Sequence, residues 1–238
     1  MYALLMQIYA RLNSEGSLDF YPITVDFGSS NMESAVGLIF NNLPYPLEEY
    51  SNAYLFNNAG TLGRLTPACN LTTLDISNHI NINVTAPLAL TSRFLQMFSL
   101  NCENLCIVNV SSLAAIQPFE SWSVYCAGKA ARDMFYLVIA EENKPRSPNG
   151  GSSKPVIRAL SYAPGPLDTD MQEQIRNDMP PGEIRNAFTE MHRDGKLIDP
   201  ADSARVLLAQ LELDTFINGS HVDYYDVCEL KSPITVGK

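Results

Sequence analysis

Apolar and polar positions along the chain sort into two alternating kinds of segment. Short strand-like runs open at Tyr21, Ala53, Leu105, Val156 and His221. Between them lie longer stretches with apolar residues three and four apart, at residues 32–43, 74–98, 125–142 and 201–213, which predict amphipathic helices. The continuous run Leu105-Cys-Ile-Val-Asn-Val110 suits a strand buried on both faces. Strands that alternate with helices in this way pack as a parallel sheet in an α/β fold. Asp199-Pro200 supplies an N-cap and an N1 proline for the last helix. The opening stretch, Met1-Tyr-Ala-Leu-Leu-Met-Gln-Ile-Tyr-Ala-Arg-Leu12, has apolar residues at helical spacing and is read as a helix. Residues 143–155, rich in Pro, Gly, Ser, Asn and Lys, predict a mobile surface loop.

Composition narrows the picture. With 238 residues, 46% of them hydrophobic, the chain can bury one substantial core, and no Gly/Ser linker divides it. One domain over residues 1–230 is expected, with residues 231–238 as a tail without an assigned role. A formal net charge of −10 argues against nucleic acid or an anionic membrane as a partner. No stretch approaches the roughly 20 apolar residues of a membrane span, and the amphipathic opening lacks the marks of a secretory signal. The five cysteines are odd in number and lack zinc-ligand spacing, so they are read as reduced thiols of a cytosolic protein without a metal site.

The chemistry is carried by Ser112, Tyr125 and Lys129. Tyr125 and Lys129 are four residues apart, so a helix places them on one face. Ser112 lies thirteen positions before Tyr125, where the apolar run from Leu105 ends. A free phenol has a pKa of about 10 and is a poor proton shuttle near neutrality. A neighbouring ammonium is expected to favour the phenolate and lower that value. Ser112 could then hydrogen-bond a carbonyl oxygen while Tyr125 protonates it, meeting the charge that develops on reduction. No side chain donates a hydride, so this chemistry requires a nicotinamide.

A Tyr-x-x-x-Lys pair alone also occurs on ordinary surface helices. Here it stands in register with Asn57-Asn-Ala-Gly60, with Asn83, and with Pro164-Gly-Pro-Leu-Asp-Thr169. In order and spacing these motifs resemble the short-chain dehydrogenase/reductase family. Gln117-Pro-Phe119, Tyr125-Cys-Ala-Gly-Lys-Ala-Ala-Arg-Asp-Met134, Tyr162-Ala-Pro-Gly-Pro-Leu-Asp-Thr-Asp-Met171 and His221-Val-Asp-Tyr-Tyr-Asp226 narrow the resemblance to a pterin-reducing branch. The likeness runs from about Asp19 to Asp226.

The resemblance implies a Rossmann-like doubly wound parallel sheet and NADPH-dependent reduction of a pterin side-chain carbonyl in tetrahydrobiopterin synthesis. In these terms Tyr125 is the acid, Ser112 the oxyanion partner, Lys129 both pKa modulator and ribose ligand, and Asn83 the holder of a relay water. NADP(H) contacts are implied at Asp26, Phe27, Asn58, Ala59, Gly60, Tyr125, Lys129, Leu167, Asp168, Thr169, Asp170, Met171 and Gln172. The pterin pocket is implied at Ser112, Leu113, Tyr125, Gly165 and Asp223. A carboxylate can accept two parallel hydrogen bonds from the amino and ring N–H groups of a pterin, which makes Asp223 its anchor. Residues 171–195 are expected to close over the substrate, with Met171, Met179 and Met191 read first as packing residues. Stretches 74–98 and 125–142 are expected to pack against their copies in a homodimer.

Against the family pattern, the residues before Asp19 match the tail of the helix that follows the second strand. The first strand, the Gly-rich turn and the second strand are thus expected to be missing. That leaves the Tyr21 strand without a neighbour and the Ala53 strand with an apolar edge. Two further readings stay open: a non-catalytic homologue that dimerises or holds a pterin, and a reductase of other carbonyl compounds.

Overall fold

The structure, a computed structural model, describes residues 4–12, 18–28, 31–43, 50–144 and 155–229. Its first element is a ribbon in which β1 (Leu4–Leu12) pairs antiparallel with β2 (Leu18–Asp26). The helix expected over the opening residues is therefore a strand. A short apolar segment satisfies helical and extended patterns alike, and here the pairing with β2 decides. The same pairing gives the Tyr21 strand a neighbour, contrary to expectation. Pro22, which cannot donate a ladder hydrogen bond, is tolerated because β2 is paired on one side only.

The main sheet holds β3 (Asn52–Asn57), β4 (Asn104–Val110), β5 (Val156–Ala163) and β6 (His221–Asp223), parallel and in that order. Helix α1 (Met32–Asn41) precedes it. The β3–β4 crossover contains α2 (Thr73–Ile80), a π-helical turn at Asn81–Thr85 and α3 (Ala86–Phe98). Helix α4 (Ser123–Glu142) joins β4 to β5. Helices α5 (Asp170–Asp178), α6 (Glu183–Arg193), α7 (Pro200–Leu213) and the single turn α8 (Tyr224–Val227) complete the described elements.

Helices cover both faces of the sheet. On one, Ile39 and Phe40 of α1, Leu90 and Phe94 of α3, and Tyr136 and Ile139 of α4 pack against Leu55, Ile107 and Ala159. On the other, Leu207 of α7 and Phe216 pack against Val108, Leu160 and Tyr162. Ile107 and Val108 point to opposite faces and are both fully buried, which is why β4 reads as a continuous apolar run. Phe27, just beyond β2, is fully buried in the first of these cores and ties the ribbon to the sheet. β3 is hydrogen-bonded on one side only and leaves Tyr54 57% exposed along its free edge.

Asp199 caps α7 by accepting from Ala201 N at 2.7 Å, with Pro200 in the first turn, as its sequence predicts. Residues 145–154 and 230–238 lie outside the described residues, and with them most of the expected surface loop and the tail. No helix among the described residues is long and apolar enough to cross a membrane.

Candidate active site

Parallel strands gather their C-terminal ends at one edge of the sheet, where loops can line a common crevice. Ser112 lies two residues beyond the end of β4 and caps a 3₁₀ turn, its Oγ accepting from Ala114 N at 3.2 Å. Tyr125 sits in the first turn of α4 and is buried. Ser121, with φ 67°, turns the chain into that helix, and its carbonyl accepts from Thr66 N at 3.1 Å. The loop after β3 is thereby fastened to the start of α4.

Ser112 lies beside the Tyr125 phenol, close enough to favour its ionised form. The expected depression of the phenol pKa is not met. Burial dominates and pushes Tyr125 up to about 12, with Ser112 and the Arg132 charge only partly opposing it. Lys129 lies with Nζ 5.5 Å from the centre of the Tyr125 ring and donates to Val110 O at 2.7 Å. Burial drives the lysine well below its ordinary value, and the nearby Arg132 charge adds to this while Asp133 opposes it. Desolvation outweighs the ammonium because both groups are buried among apolar side chains.

Asn83 lies in the π-helical turn, a distortion that often marks functional positions. Its Oδ1 accepts from Thr61 N and its Nδ2 donates to Thr61 O, both at 2.8 Å. Nδ2 also meets His79 Nε2 at 2.7 Å. His79, pushed down to about 4 by burial and the Lys129 charge, stays neutral behind Tyr125. Asn83 thus fastens the loop after β3 and does not line the cavity described below. That loop needs Gly60, because a Cβ there would fall 2.9 Å from Asn83 Oδ1.

One cavity of about 840 Å³ joins most of the predicted positions. Asn58, Ala59, Gly60, Ser112, Leu113, Tyr125, Lys129, Gly165, Leu167, Thr169, Met171, Gln172 and Asp223 all line it. Asp168 and Asp170 do not; Asp168 N donates to Ile198 O at 3.0 Å, fixing the loop before α5. Asp26 Oδ1 accepts from Gly28 N at 2.8 Å, and Phe27 lines a separate small recess with Asn58 and Ala59. Gly165, with φ +75°, cannot carry a side chain, since its Cβ would meet Ile198 Cδ1 at 2.5 Å. Asp223 Oδ1 accepts from Tyr225 N at 3.0 Å, and its carboxylate closes a capping box with Asp226 that begins α8; lone pairs beyond those two contacts can face a ligand. Met191 lines the cavity, Met171 both lines it and packs against the core beneath, and Met179 is buried in that core.

Sequence reasoning missed an aromatic wall. Trp122 stacks on Phe119 at 5.0 Å and on Phe188 at 6.0 Å, and meets Tyr125 edge-on at 5.5 Å. The signal was the single tryptophan, three residues before Tyr125. His221, also on the cavity wall, stood unremarked within the motif that identified Asp223.

The profile of the short chain dehydrogenase family matches residues 4–180. Fold and site define an oxidoreductase, and the chain belongs to the short-chain dehydrogenase family. It is similar to sepiapterin reductase of Rattus norvegicus, at 41% identity over 206 residues covering 85% of this chain and 74% of that protein. Similarity to sepiapterin reductase of Bos taurus is 39% over 228 residues, covering 93% and 80% respectively. Among solved structures, the KRED1-Pglu enzyme aligns with a TM-score of 0.66 at 27% identity, over 83% of this chain and 77% of that one.

Proposed function

We propose that the chain reduces a pterin side-chain carbonyl with NADPH, in tetrahydrobiopterin synthesis. The observation that carries this reading is a single cavity lined by Ser112, Tyr125, Lys129 and the Asp223 carboxylate. The likeness to sepiapterin reductases supports pterin as the substrate class.

The residues present fit a nicotinamide cofactor. The cavity is large enough for part of a dinucleotide beside a carbonyl compound. Gln172 Oε1 on its wall is buried without a partner among the described residues, an acceptor suited to an amide or hydroxyl. Lys129 donates to Val110 O and keeps a further N–H for a ribose hydroxyl. Asn58 to Gly60 and Leu167 to Gln172 would hold the rest, with Asp26 and Phe27 at the far end. When bound, the cofactor supplies the hydrogen and electron pair that reach the carbonyl carbon. Ser112 donates a hydrogen bond to the carbonyl oxygen, and Tyr125 hands that oxygen its proton, so C=O becomes CH–OH. Asn83 holds the loop under the site, and its relay water remains part of this proposal.

Sepiapterin with NADPH tests the reading. Tyr125→Phe should lower kcat by about 10²–10⁴, the usual worth of a positioned acid. Undiminished turnover in that variant would remove Tyr125 as the acid. A second reading, reduction of other carbonyl compounds, draws on the stacked Phe119, Trp122 and Phe188, which suit an aryl ketone. Asp223→Ala separates the two: it should raise KM for sepiapterin and leave an aryl diketone unaffected. A second copy of the chain is proposed to cover the apolar outer face of α4, where Met134, Leu137 and Val138 are exposed.

A further inference from the structure

The strand register aligns four polar residues in one row across the sheet. Asn57 pairs with Asn109, Asn109 with Ser161, and Ser161 with His221. Helix α4 lies over this row and sends Arg132 and Asp133 into it. Arg132, fully buried, donates from Nε to Asn109 Oδ1 at 2.7 Å and from Nη2 to Asn57 O at 2.6 Å. Asp133 Oδ1 accepts from Ser111 Oγ at 2.6 Å and from Asn109 Nδ2 at 2.8 Å. Its Oδ2 meets His221 Nδ1 at 2.6 Å. A carboxylate with three donors this short holds them firmly.

Two members of this network, Ser111 and His221, reach the cavity, and Ser111 Oγ is already engaged by Asp133. Asp133 occupies Nδ1, which must carry the proton of that bond. Nε2 is shielded from solvent and has no partner among the described residues. A buried polar atom without a partner is costly unless something else supplies one. His221 and Asp223 are two residues apart on β6, so their side chains leave the same face.

We propose that His221, oriented by Asp133, is a second recognition residue for a pterin, pairing with the ring carbonyl beside the N–H groups that Asp223 takes. This rests on the pterin reading above. A 2-amino-4-oxopteridine presents acceptor, donor and donor in sequence along one edge. A carboxylate satisfies the two donors and leaves the carbonyl needing a donor at its side, which Nε2–H of a charged imidazole provides. Charged groups facing the ring favour that state: Asp133 from α4, Asp223 on its own strand and Asp226 from α8 all raise the histidine above its ordinary value, Asp133 most. Tyr162, on the adjoining strand, is pushed up to about 12 and stays neutral. As pH rises through the raised value, Nε2 loses its proton and the donor is lost.

The test is equilibrium titration of the full chain with sepiapterin in the presence of NADP⁺, which allows binding without turnover. His221→Leu should weaken binding about tenfold, equivalent to about 1.4 kcal/mol. His221→Gln keeps a donor at the same reach, so it should bind within about threefold of the parent and lose the parent's fall in affinity as pH rises above the ordinary imidazole value of about 6.5. If Asp223→Ala weakens binding but His221→Leu does not, this inference is overturned while the pterin reading stands. If Asp223→Ala has no effect, the pterin reading falls and takes this one with it. Should the leucine variant fail to melt cooperatively, the glutamine variant decides. A flat profile with retained affinity supports the assignment, and a profile like the parent's overturns it.

Discussion

Tyr125 shows how burial and charge compete at a single residue. Its neighbour Lys129 is the group expected to make it more acidic, yet the phenol is pushed up to about 12 because removing an anion from water costs more than the nearby positive charges return. The sign is plain: a raised phenol stays protonated over the whole neutral range and loses its proton only in strong alkali. A proton donor that never titrates near neutrality imposes no alkaline limb of its own. Reductive kcat for sepiapterin should therefore show no loss assignable to Tyr125 below about pH 10, the ordinary phenol value. A sigmoidal loss centred near pH 7 in the wild type, absent when Lys129 is replaced by Met, would show instead that the lysine charge controls the tyrosine.

At the scale of elements, what was legible was what local pattern determines. Helices α3, α4 and α7 were visible because their apolar residues recur at helical spacing. The start of α7 was visible because Asp199 and Pro200 do their work within one turn. Asp199→Ala should lower unfolding free energy by about 1 kcal/mol, the usual worth of an N-cap, in a urea titration. An unchanged midpoint would mean that Pro200 alone fixes the helix start. Other features were not local. β1 reads as a helix until its partner β2 is known, and the π-helical turn leaves no mark in the periodicity around Asn83. The site divides in the same way. Ser112, Tyr125 and Lys129 were readable because each chemistry demands a particular side chain at a fixed spacing. His221 was not, because its partner Asp133 is 88 positions away in the chain and reaches it only through the sheet register.

For the whole molecule, two facts bear on whether the chain can act as a reductase. The loops proposed to hold a dinucleotide line one cavity with the candidate acid, yet among the described residues the four-stranded sheet ends at β3 with an open edge, and the β1–β2 ribbon joins it by packing and not by a hydrogen-bonded ladder. Cofactor binding is thus a test of the assembly as a whole. A ligand that binds only the native state stabilises it by about 2.7 kcal/mol at a hundredfold excess over Kd. For a chain of this size that corresponds to an upward shift of roughly 5–10 °C in a thermal melt. We expect a cooperative transition that NADPH moves by this amount and NADH moves less. A sharp transition indifferent to both nucleotides would favour a non-catalytic, pterin-holding protein, and a broad one would show that the ribbon and sheet do not unfold together. The same scans at two protein concentrations address the apolar face of α4. If a second copy covers Met134, Leu137 and Val138, the midpoint rises with protein concentration, because dissociation is then coupled to unfolding. A midpoint independent of concentration leaves that face to solvent, and the reductive site must then be complete within one chain.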